Sequence, residues 1–355
     1  MKAVSIGDDE GWAIDDSGKL HSWSQSQGVS PFAKLNGYSF KQVSCGSNGL
    51  VALLQTNGSA WIRFSKEEPF LLINKGDLKR KSVSQLAVGA SHVAALTTDG
   101  SLYTLGSNDR GQCGIVELKD SPREVPHLVT WEASKFTDVA AGLYHTVAIT
   151  ADGNVVGFGY NKNMQLGKPQ EWVQYRVPSI PMVPFGSYNE VRLSEQTRFN
   201  SKNWNDTTEY ITQYAHSLPA AIDFFSKSTI KASRVVCGDN FTFVIDKEGK
   251  MYGFGDGSKG QLARKPPRAY TAPSLIHREP FDANGAANID TLSCGSAHCI
   301  ARMKNGDIWS WGWNINAECG RQTKAFTPTP TQVPVDANTN IQSVSCSKNC
   351  SIFIL

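Results

Sequence analysis

The sequence has no long apolar run. No stretch approaches the roughly 18 apolar residues that a membrane-spanning helix needs. The beginning of the chain, MKAVSIGDDEGW, contains no apolar segment of signal-peptide length. We therefore expect a protein without a membrane span that resides in the cytoplasm, the nucleus or both.

Charge of one sign is also lacking. Lys and Arg number 35 against 32 acidic residues, which leaves a net charge of +3. Proteins dedicated to nucleic acids concentrate positive charge on one surface. The one compact basic cluster, residues 75–81, is interrupted by Asp77 and is typical of a solvated loop. The composition therefore predicts no direct nucleic-acid partner.

Catalytic and cofactor motifs are absent from the sequence. It contains no phosphate-binding glycine loop, no GxSxG element, no HExxH zinc motif and no Ser/His/Asp order. The 8 Cys include no CxxC pair, so neither a disulfide framework nor a zinc site is indicated. We predict a protein that is not an enzyme, with no catalytic residue, metal or cofactor.

The sequence does have glycine at regular intervals. One set ends a β-prone stretch such as LAVG or LSCG, and a second set follows in two-residue turns such as DG or NG. The first set comprises Gly7, Gly46, Gly89, Gly142, Gly238 and Gly295, and the second comprises Gly18, Gly58, Gly100, Gly153, Gly249 and Gly306. The constant spacing within these pairs identifies a repeated unit.

Each unit supplies the strands of one small sheet. A strand such as HVAALTT lies between the two glycines, and another such as SLYTLG follows the turn. Stacked sheets of this kind form a β-propeller, because no single sheet buries both of its faces alone. We predict an all-β, seven-bladed propeller with four-stranded antiparallel blades, in a single domain over residues 1–355.

The unit resembles the repeat of the regulator of chromosome condensation family. The resemblance covers residues 1–167 and 235–355, with a strand, an Asp-Gly turn and a GQLG-type loop at fixed spacing. It implies a seven-bladed propeller, and some family members activate the small GTPase Ran by nucleotide exchange. Residues 1–64 lack the GQLG ending and are partly similar to the tectonin repeat.

Two segments depart from the repeat. Gly142 and Gly238 are separated by nearly two units, so we place a degenerate seventh blade with a long insertion at about 168–234. The segment 341–355 begins another unit and stops after two strands. We predict that it closes the ring by pairing the two chain ends.

The repeated His and Cys residues are predicted to be structural. His92, His145 and His298 share one position of the unit, and equivalent positions of different blades lie too far apart to hold one metal ion. We expect each imidazole to hydrogen-bond a neighbouring backbone group. The Cys residues predicted to be small buried apolar side chains are Cys45, Cys113, Cys237, Cys294, Cys319 and Cys346. A partial metal site at Cys294 with Cys299, or at Cys346 with Cys350, is the minor alternative.

Aromatic residues supply the candidate partner-binding sites. The candidates are Trp309, Trp311, Trp313, Trp172, Tyr188 and Trp204. The first three alternate along one strand, so we expect them on one face, either packed on the adjacent sheet or forming a binding patch. The other three belong to the long insertion, which is either a variable loop or a second site.

Three functions fit this pattern. The first is a non-catalytic scaffold whose loops bind a protein partner. The last residues of the sequence, SVSCSKNCSIFIL, resemble the ending of the alpha-tubulin suppressor proteins of fungi. This resemblance implies a small metal-binding partner in tRNA modification and diphthamide synthesis. The second is a guanine-nucleotide exchange factor for a Ran-type small GTPase. The third is a tectonin-like lectin, which only the first two units favour.

Overall fold

The described part of the chain consists mainly of β-strands. The structure, a computed structural model, describes residues 3–8, 10–24, 26–73, 76–115, 123–132, 134–169, 173–176, 210–213, 215–264, 270–276, 280–281, 288–322, 325–335, 341–347 and 350–354. The helices in these ranges are the 3-10 turns Ala33–Leu35 and Gly76–Arg80 and the helix α1, Asp223–Ser226. None of them is long and apolar enough to cross a membrane.

Six four-stranded antiparallel sheets form the blades, as predicted for the blade type. Blade 1 contains β1–β4 (Ala3–Ile6, Glu10–Ile14, Leu20–Ser24, Gln27–Pro31). Blade 2 contains β5–β8 (Phe40–Cys45, Val51–Gln55, Ala60–Arg63, Leu71–Leu72). Blade 3 contains β9–β12 (Val83–Val88, His92–Thr97, Leu102–Gly106, His127–Val129). Blade 4 contains β13, β14, β15 and β18 (Phe136–Ala141, His145–Thr150, Val155–Tyr160, Ala215–Ala221). Blade 5 contains β19–β22 (Ala232–Cys237, Phe241–Asp246, Met251–Gly255, Tyr270–Leu275). Blade 6 contains β23–β26 (Ile289–Cys294, His298–Met303, Ile308–Gly312, Thr327–Gln332).

The second strand of a blade is the most deeply buried. Every residue of β10, β14 and β20 is buried, because a middle strand packs against a neighbouring blade on each face. The hairpin that follows β10 has Gly100 at a φ of 78°, and the Gly100 N–H donates to the Thr97 carbonyl at 2.9 Å. This positive φ is why the repeated turns end in glycine.

Among the described residues of the segment 168–234, the predicted degenerate seventh blade is not found. Gly157 of β15 pairs with Ala220 of β18, so the outer strand of blade 4 comes from the far end of this segment. Residues 170–214 form a separate compact unit, which contains the hairpin β16 (Val173–Arg176) and β17 (Tyr210–Gln213). The wide glycine spacing therefore reflects a long connection within blade 4.

The seventh place in the ring is taken by a two-stranded sheet. In it, β27 (Ser343–Cys346) pairs with β28 (Ser351–Ile354), and β27 contacts β23 of blade 6 and β1 of blade 1. Buried Val344 belongs to the same apolar cluster as Ile300 of blade 6. The segment 341–355 thus joins the chain ends by packing, whereas its strands pair with each other rather than with β1.

The inner ends of the blades are held together through their backbones. The Ala90 N–H donates to the Leu143 carbonyl at 3.0 Å, and the Leu143 N–H donates to the Asp239 carbonyl at 2.9 Å. A Cβ placed on Gly89 would lie 2.5 Å from the Gly142 carbonyl oxygen. The first glycine set is therefore required by the close approach of successive blades.

Side-chain hydrogen bonds connect one blade to the next. His92 Nε2 lies 2.9 Å from Thr146 Oγ1, and the Thr146 hydroxyl donates to the Gln112 carbonyl at 2.9 Å. Because that hydroxyl proton is committed to Gln112, His92 Nε2 is the donor to Thr146. The same arrangement joins His145 to Thr242 and His298 to Ser351. For His92 and His145 the partner is thus a hydroxyl of the next blade rather than the predicted backbone group, whereas His298 has both the Ser351 hydroxyl and the predicted kind of backbone partner, at Cys350.

Candidate functional site

The long connections of the propeller emerge at one end of the blades. They join the third strand to the fourth and emerge beside the short turns between the first and second strands. We call this end the loop face; its described long loops are 107–115, 161–169, 256–264 and 313–322. The opposite end carries the repeated two-residue turns. The opposite end also carries the connections from one blade to the next. We take the loop face as the candidate functional surface, because binding residues are often carried by loops that a rigid scaffold holds in place.

Buried polar side chains order these loops from within. Asn161 Oδ1 accepts the Leu166 N–H at 2.9 Å, and Gln165 Oε1 accepts the Asn163 N–H at 2.9 Å. The equivalent Gln261 accepts the Lys259 N–H at 2.8 Å. These bonds satisfy loop backbone groups that would otherwise lack partners. They fix the direction in which the intervening side chains point.

Cations from two of these loops lie over aromatic rings of the following unit. The Arg110 guanidinium lies 4.6 Å from the centroid of Tyr144 and 4.7 Å from that of Tyr160. Lys259 Nζ lies 4.4 Å from the centroid of Trp313. The ring quadrupole attracts a cation in this position. Arg110 and Lys259 occupy equivalent places in their units, and so do Tyr160 and Trp313.

The three tryptophans of blade 6 pack toward blade 5 to different extents. Trp309 and Trp311 both contact the core cluster shared with blade 5, and Trp311 is fully buried. Its Nε1 donates to the Gln261 carbonyl at 2.8 Å. The strand ends at Gly312, whose φ of 99° turns the chain, so Trp313 lies beyond the strand on the loop face. Of the three, only Trp313 lies on the loop face.

The remaining aromatic candidates are not placed. Trp172, Tyr188 and Trp204 lie outside the described residues. Their assignment to a partner-binding site therefore stays a prediction.

Two exposed apolar side chains beside Trp313 were not predicted from the sequence. Ile315 is 39% exposed and Phe326 is 45% exposed. The register pairs Gly312 with Thr327, and Trp313 and Phe326 are the residues that adjoin this pair at the same end of the sheet. Arg321 donates to Thr327 Oγ1 and so lies at the same edge. A single repeat unit could not indicate this grouping, because it depends on a cross-strand register.

The loops of blades 4 to 6 carry more positive than negative side chains. Their described basic residues are Lys162, Lys168, Lys259, Arg264 and Arg321. Their described acidic residues are Asp256 and Glu318, and Glu318 is buried with its carboxylate accepting hydrogen bonds from Asn316. In the described parts of these loops, positive side chains therefore outnumber negative ones, although the whole chain is close to neutral.

The axis of the ring contains a cavity of about 460 Å³. Its lining includes four of the repeated cysteines, Cys45, Cys237, Cys294 and Cys346, which are half-buried rather than fully buried as predicted. Burial raises the pKa of Cys45 and of Cys346 to about 12. Both thiols are consequently protonated near neutral pH and are poor nucleophiles or metal ligands. Within the described ranges no three metal-ligating side chains converge.

Comparison with known proteins agrees with this architecture. The chain belongs to the RCC1-like domain family, whose model matches residues 1–355. The predicted family resemblance is thereby confirmed. The chain is 26% identical to the ultraviolet-B receptor UVR8 of Arabidopsis thaliana over 87% of its length, and 24% identical to the human regulator of chromosome condensation over 89%.

Solved structures show the same fold. Human WBSCR16 superimposes with a TM-score of 0.73 at 17% identity, over 99% of this chain and 85% of that one. Prp20p of Saccharomyces cerevisiae, described with binding properties to Gsp1p and histones, gives a TM-score of 0.72 at 16% identity, over 99% and 81%. The chain spans 73% of the receptor UVR8 and 61% of the human regulator.

Proposed function

We propose that the chain is a non-catalytic scaffold that binds a protein partner through the loop face. The observation that carries the proposal is the contrast between the two ends of the ring. One end carries the repeated tight turns together with the connections between blades, and the other presents loops ordered by buried Asn and Gln, with cations over aromatic rings. Aromatic and Arg side chains are enriched at protein interfaces, and a rigid surface reduces the entropic cost of binding.

Site-specific photo-crosslinking tests this proposal. A photoreactive residue is introduced at the loop-face positions Lys162 and Ser258, and, as matched controls, at Asp152 and Lys247 in the opposite turns. All four positions are exposed. We expect a protein partner, identified by mass spectrometry, to crosslink from the first two positions only. Crosslinking from the opposite turns alone, or no specific partner at any position, would contradict the proposal.

A second candidate function is guanine-nucleotide exchange on a Ran-type small GTPase. The identity to the human regulator of chromosome condensation and the fold shared with Prp20p favour it. Exchange of this kind displaces a bound nucleotide and needs no catalytic side-chain pair. The test is the release of mant-GDP from Ran: acceleration by this chain supports exchange, and no acceleration at large excess removes this candidate.

The narrower sequence-based hypotheses have less support. A metal-binding partner in tRNA modification and diphthamide synthesis rests on the short likeness of the chain ending, and none of the relatives described above points to either process. The lectin reading rested on the short first two units. Those units form blades 1 and 2 of the same ring. Residence in the cytoplasm, the nucleus or both stays a prediction.

A further inference from the structure

We propose that five residues at the junction of blades 5 and 6 bind a segment of a partner protein in which acidic residues flank apolar ones. The five, here named the blade 6 patch, are Lys259, Trp313, Ile315, Arg321 and Phe326. The inference rests on the proposed scaffold function and adds the chemistry of the partner and the place where it binds.

The apolar part of the patch is exposed at a site that the fold holds in place. Trp313 is fixed by its N–H, which donates to the Ala297 carbonyl at 2.8 Å, and Phe326 lies opposite it at the edge of blade 6. Ile315 and Phe326 are 39% and 45% exposed. Of the large apolar side chains that are exposed in the described residues, these two lie in the loop and at the strand end that adjoin Trp313. Covering them would remove apolar surface from water without reordering the loop.

Among the described residues, the charged part of the patch has no acidic ion-pair partner. No carboxylate in the described residues lies within ion-pairing distance of Lys259 Nζ, which instead rests on the Trp313 ring. Arg321 donates to a hydroxyl, and its buried Nε has no hydrogen-bond partner. Two cations held beside apolar side chains are complementary to carboxylates that flank apolar residues.

A protein segment fits the patch better than a nucleic acid does. Strong binding to a phosphate backbone requires many cations along the contact. The patch has two, and Asp256 follows directly after blade 5's third strand on the same face. Lys259 already covers one face of Trp313, and Ile315 offers an aliphatic rather than a stacking surface. Single-stranded nucleic acid is therefore the alternative that the test must separate.

Fluorescence anisotropy with defined probes tests the inference. The probes are a short fluorescein-labelled peptide in which Glu and Asp flank Leu and Phe, a matched peptide with Gln and Asn in their place, and a single-stranded oligonucleotide. We expect the acidic peptide to bind the full chain, and we expect its affinity to fall as the ionic strength rises. Lys259→Gln and Phe326→Ser should each weaken binding about tenfold.

Matched variants control for nonspecific effects of charge and apolarity. Lys247→Gln removes an exposed lysine from the opposite turns, and Leu128→Ser removes an apolar side chain that is 42% exposed on an outer strand. Both should leave the affinity for the acidic peptide unchanged. Circular dichroism and thermal unfolding should show that all four variants remain folded, since each position is at the surface.

Each outcome decides the inference. Binding of the acidic peptide that depends on Lys259 and Phe326, and not on the control positions, supports it. No binding, equal binding of the neutral peptide, equal affinity in the patch variants, or tighter patch-dependent binding of the oligonucleotide would overturn it. The photo-crosslinking experiment does not use patch residues. If it captures a partner while the peptide does not bind, the inference about the blade 6 patch is overturned and the proposed scaffold function stands.

Discussion

At the scale of single residues, the repeated imidazoles connect neighbouring blades, and burial favours their neutral form. His92 Nε2 donates to Thr146, and within the described residues its buried Nδ1 has no hydrogen-bond partner, so a proton added there would be unsatisfied. Burial lowers the pKa of His92 and of His298 from 6.5 to about 4. The folded state therefore binds fewer protons than the unfolded chain at mildly acidic pH.

This linkage predicts a loss of stability in acid. The pKa of His92 in the folded state lies below its value in the unfolded chain. The neutral imidazole therefore makes its full contribution to stability above about pH 6.5, and this contribution is lost as the pH falls toward 4. For each such imidazole, the free energy of unfolding should be about 2 kcal/mol lower at pH 5 than at neutral pH. Thermal unfolding at both pH values measures this. His92→Gln, which can still donate to Thr146, should reduce the difference, and His127→Gln on an outer strand should not.

The first glycine set gives a second prediction at this scale. In Gly89→Ala the new Cβ would meet the His92 imidazole at 2.2 Å and the Gly142 carbonyl oxygen at 2.5 Å. We expect a loss of about 3 kcal/mol or more in the free energy of unfolding, measured by urea denaturation. Gly28→Ala is the matched control, because nothing lies within 4 Å of its Cβ. Equal stability of the two variants would show that the glycine ring is not required.

At the scale of elements, the junction of blades 5 and 6 lacks the His–hydroxyl pair that joins blade 3 to blade 4, blade 4 to blade 5, and blade 6 to the two-stranded sheet. Phe241 replaces the repeated His, and Cys299 replaces the Thr that would accept its proton. The Gln261 carbonyl is instead bonded by Trp311 Nε1 at 2.8 Å. The loss of one hydrogen bond is therefore accompanied by a new donor to the same carbonyl.

Trp311→Phe tests this replacement. It removes the donor and leaves the buried Gln261 carbonyl with the Cys299 thiol, whose sulfur is 3.8 Å away. We expect a cost of about 2 to 4 kcal/mol in the free energy of unfolding, from the unsatisfied carbonyl and the lost volume together. Trp309→Phe, in the same strand but only partly buried, should cost clearly less. Similar losses for both would contradict the proposed role of Trp311 Nε1.

Most strands and turns of the blades were predictable from the sequence, and the features that were not predictable have physical causes. Glycine spacing and Asp-Gly turns predicted the blades, because both reflect backbone conformations that few other residues adopt. The blade 6 patch was not predictable, because the contact of Lys259 with Trp313 joins two units and Phe326 is placed by register. Alternation alone could not show that Trp313 lies just beyond the end of the strand at Gly312, on the loop face.

At the scale of the whole molecule, the two-stranded sheet closes the ring by apolar packing. Val344 is 3% exposed, whereas Val29 on the outer strand of blade 1 is 58% exposed. Val344→Ala should lower the free energy of unfolding by about 1 to 3 kcal/mol, and Val29→Ala should have little effect. Thermal unfolding compares the two. If Val344→Ala matched Val29→Ala, packing of this sheet would not contribute to closure.

The central claim is that a closed, backbone-linked ring presents its loop face to a protein partner. Hydrogen exchange with mass spectrometry, on the chain alone and with the partner captured by crosslinking, tests it most directly. The account predicts new protection within residues 107–115, 161–169, 256–264 and 313–322. Protection confined to the opposite turns at 97–101, 150–154, 246–250 and 303–307 would contradict it.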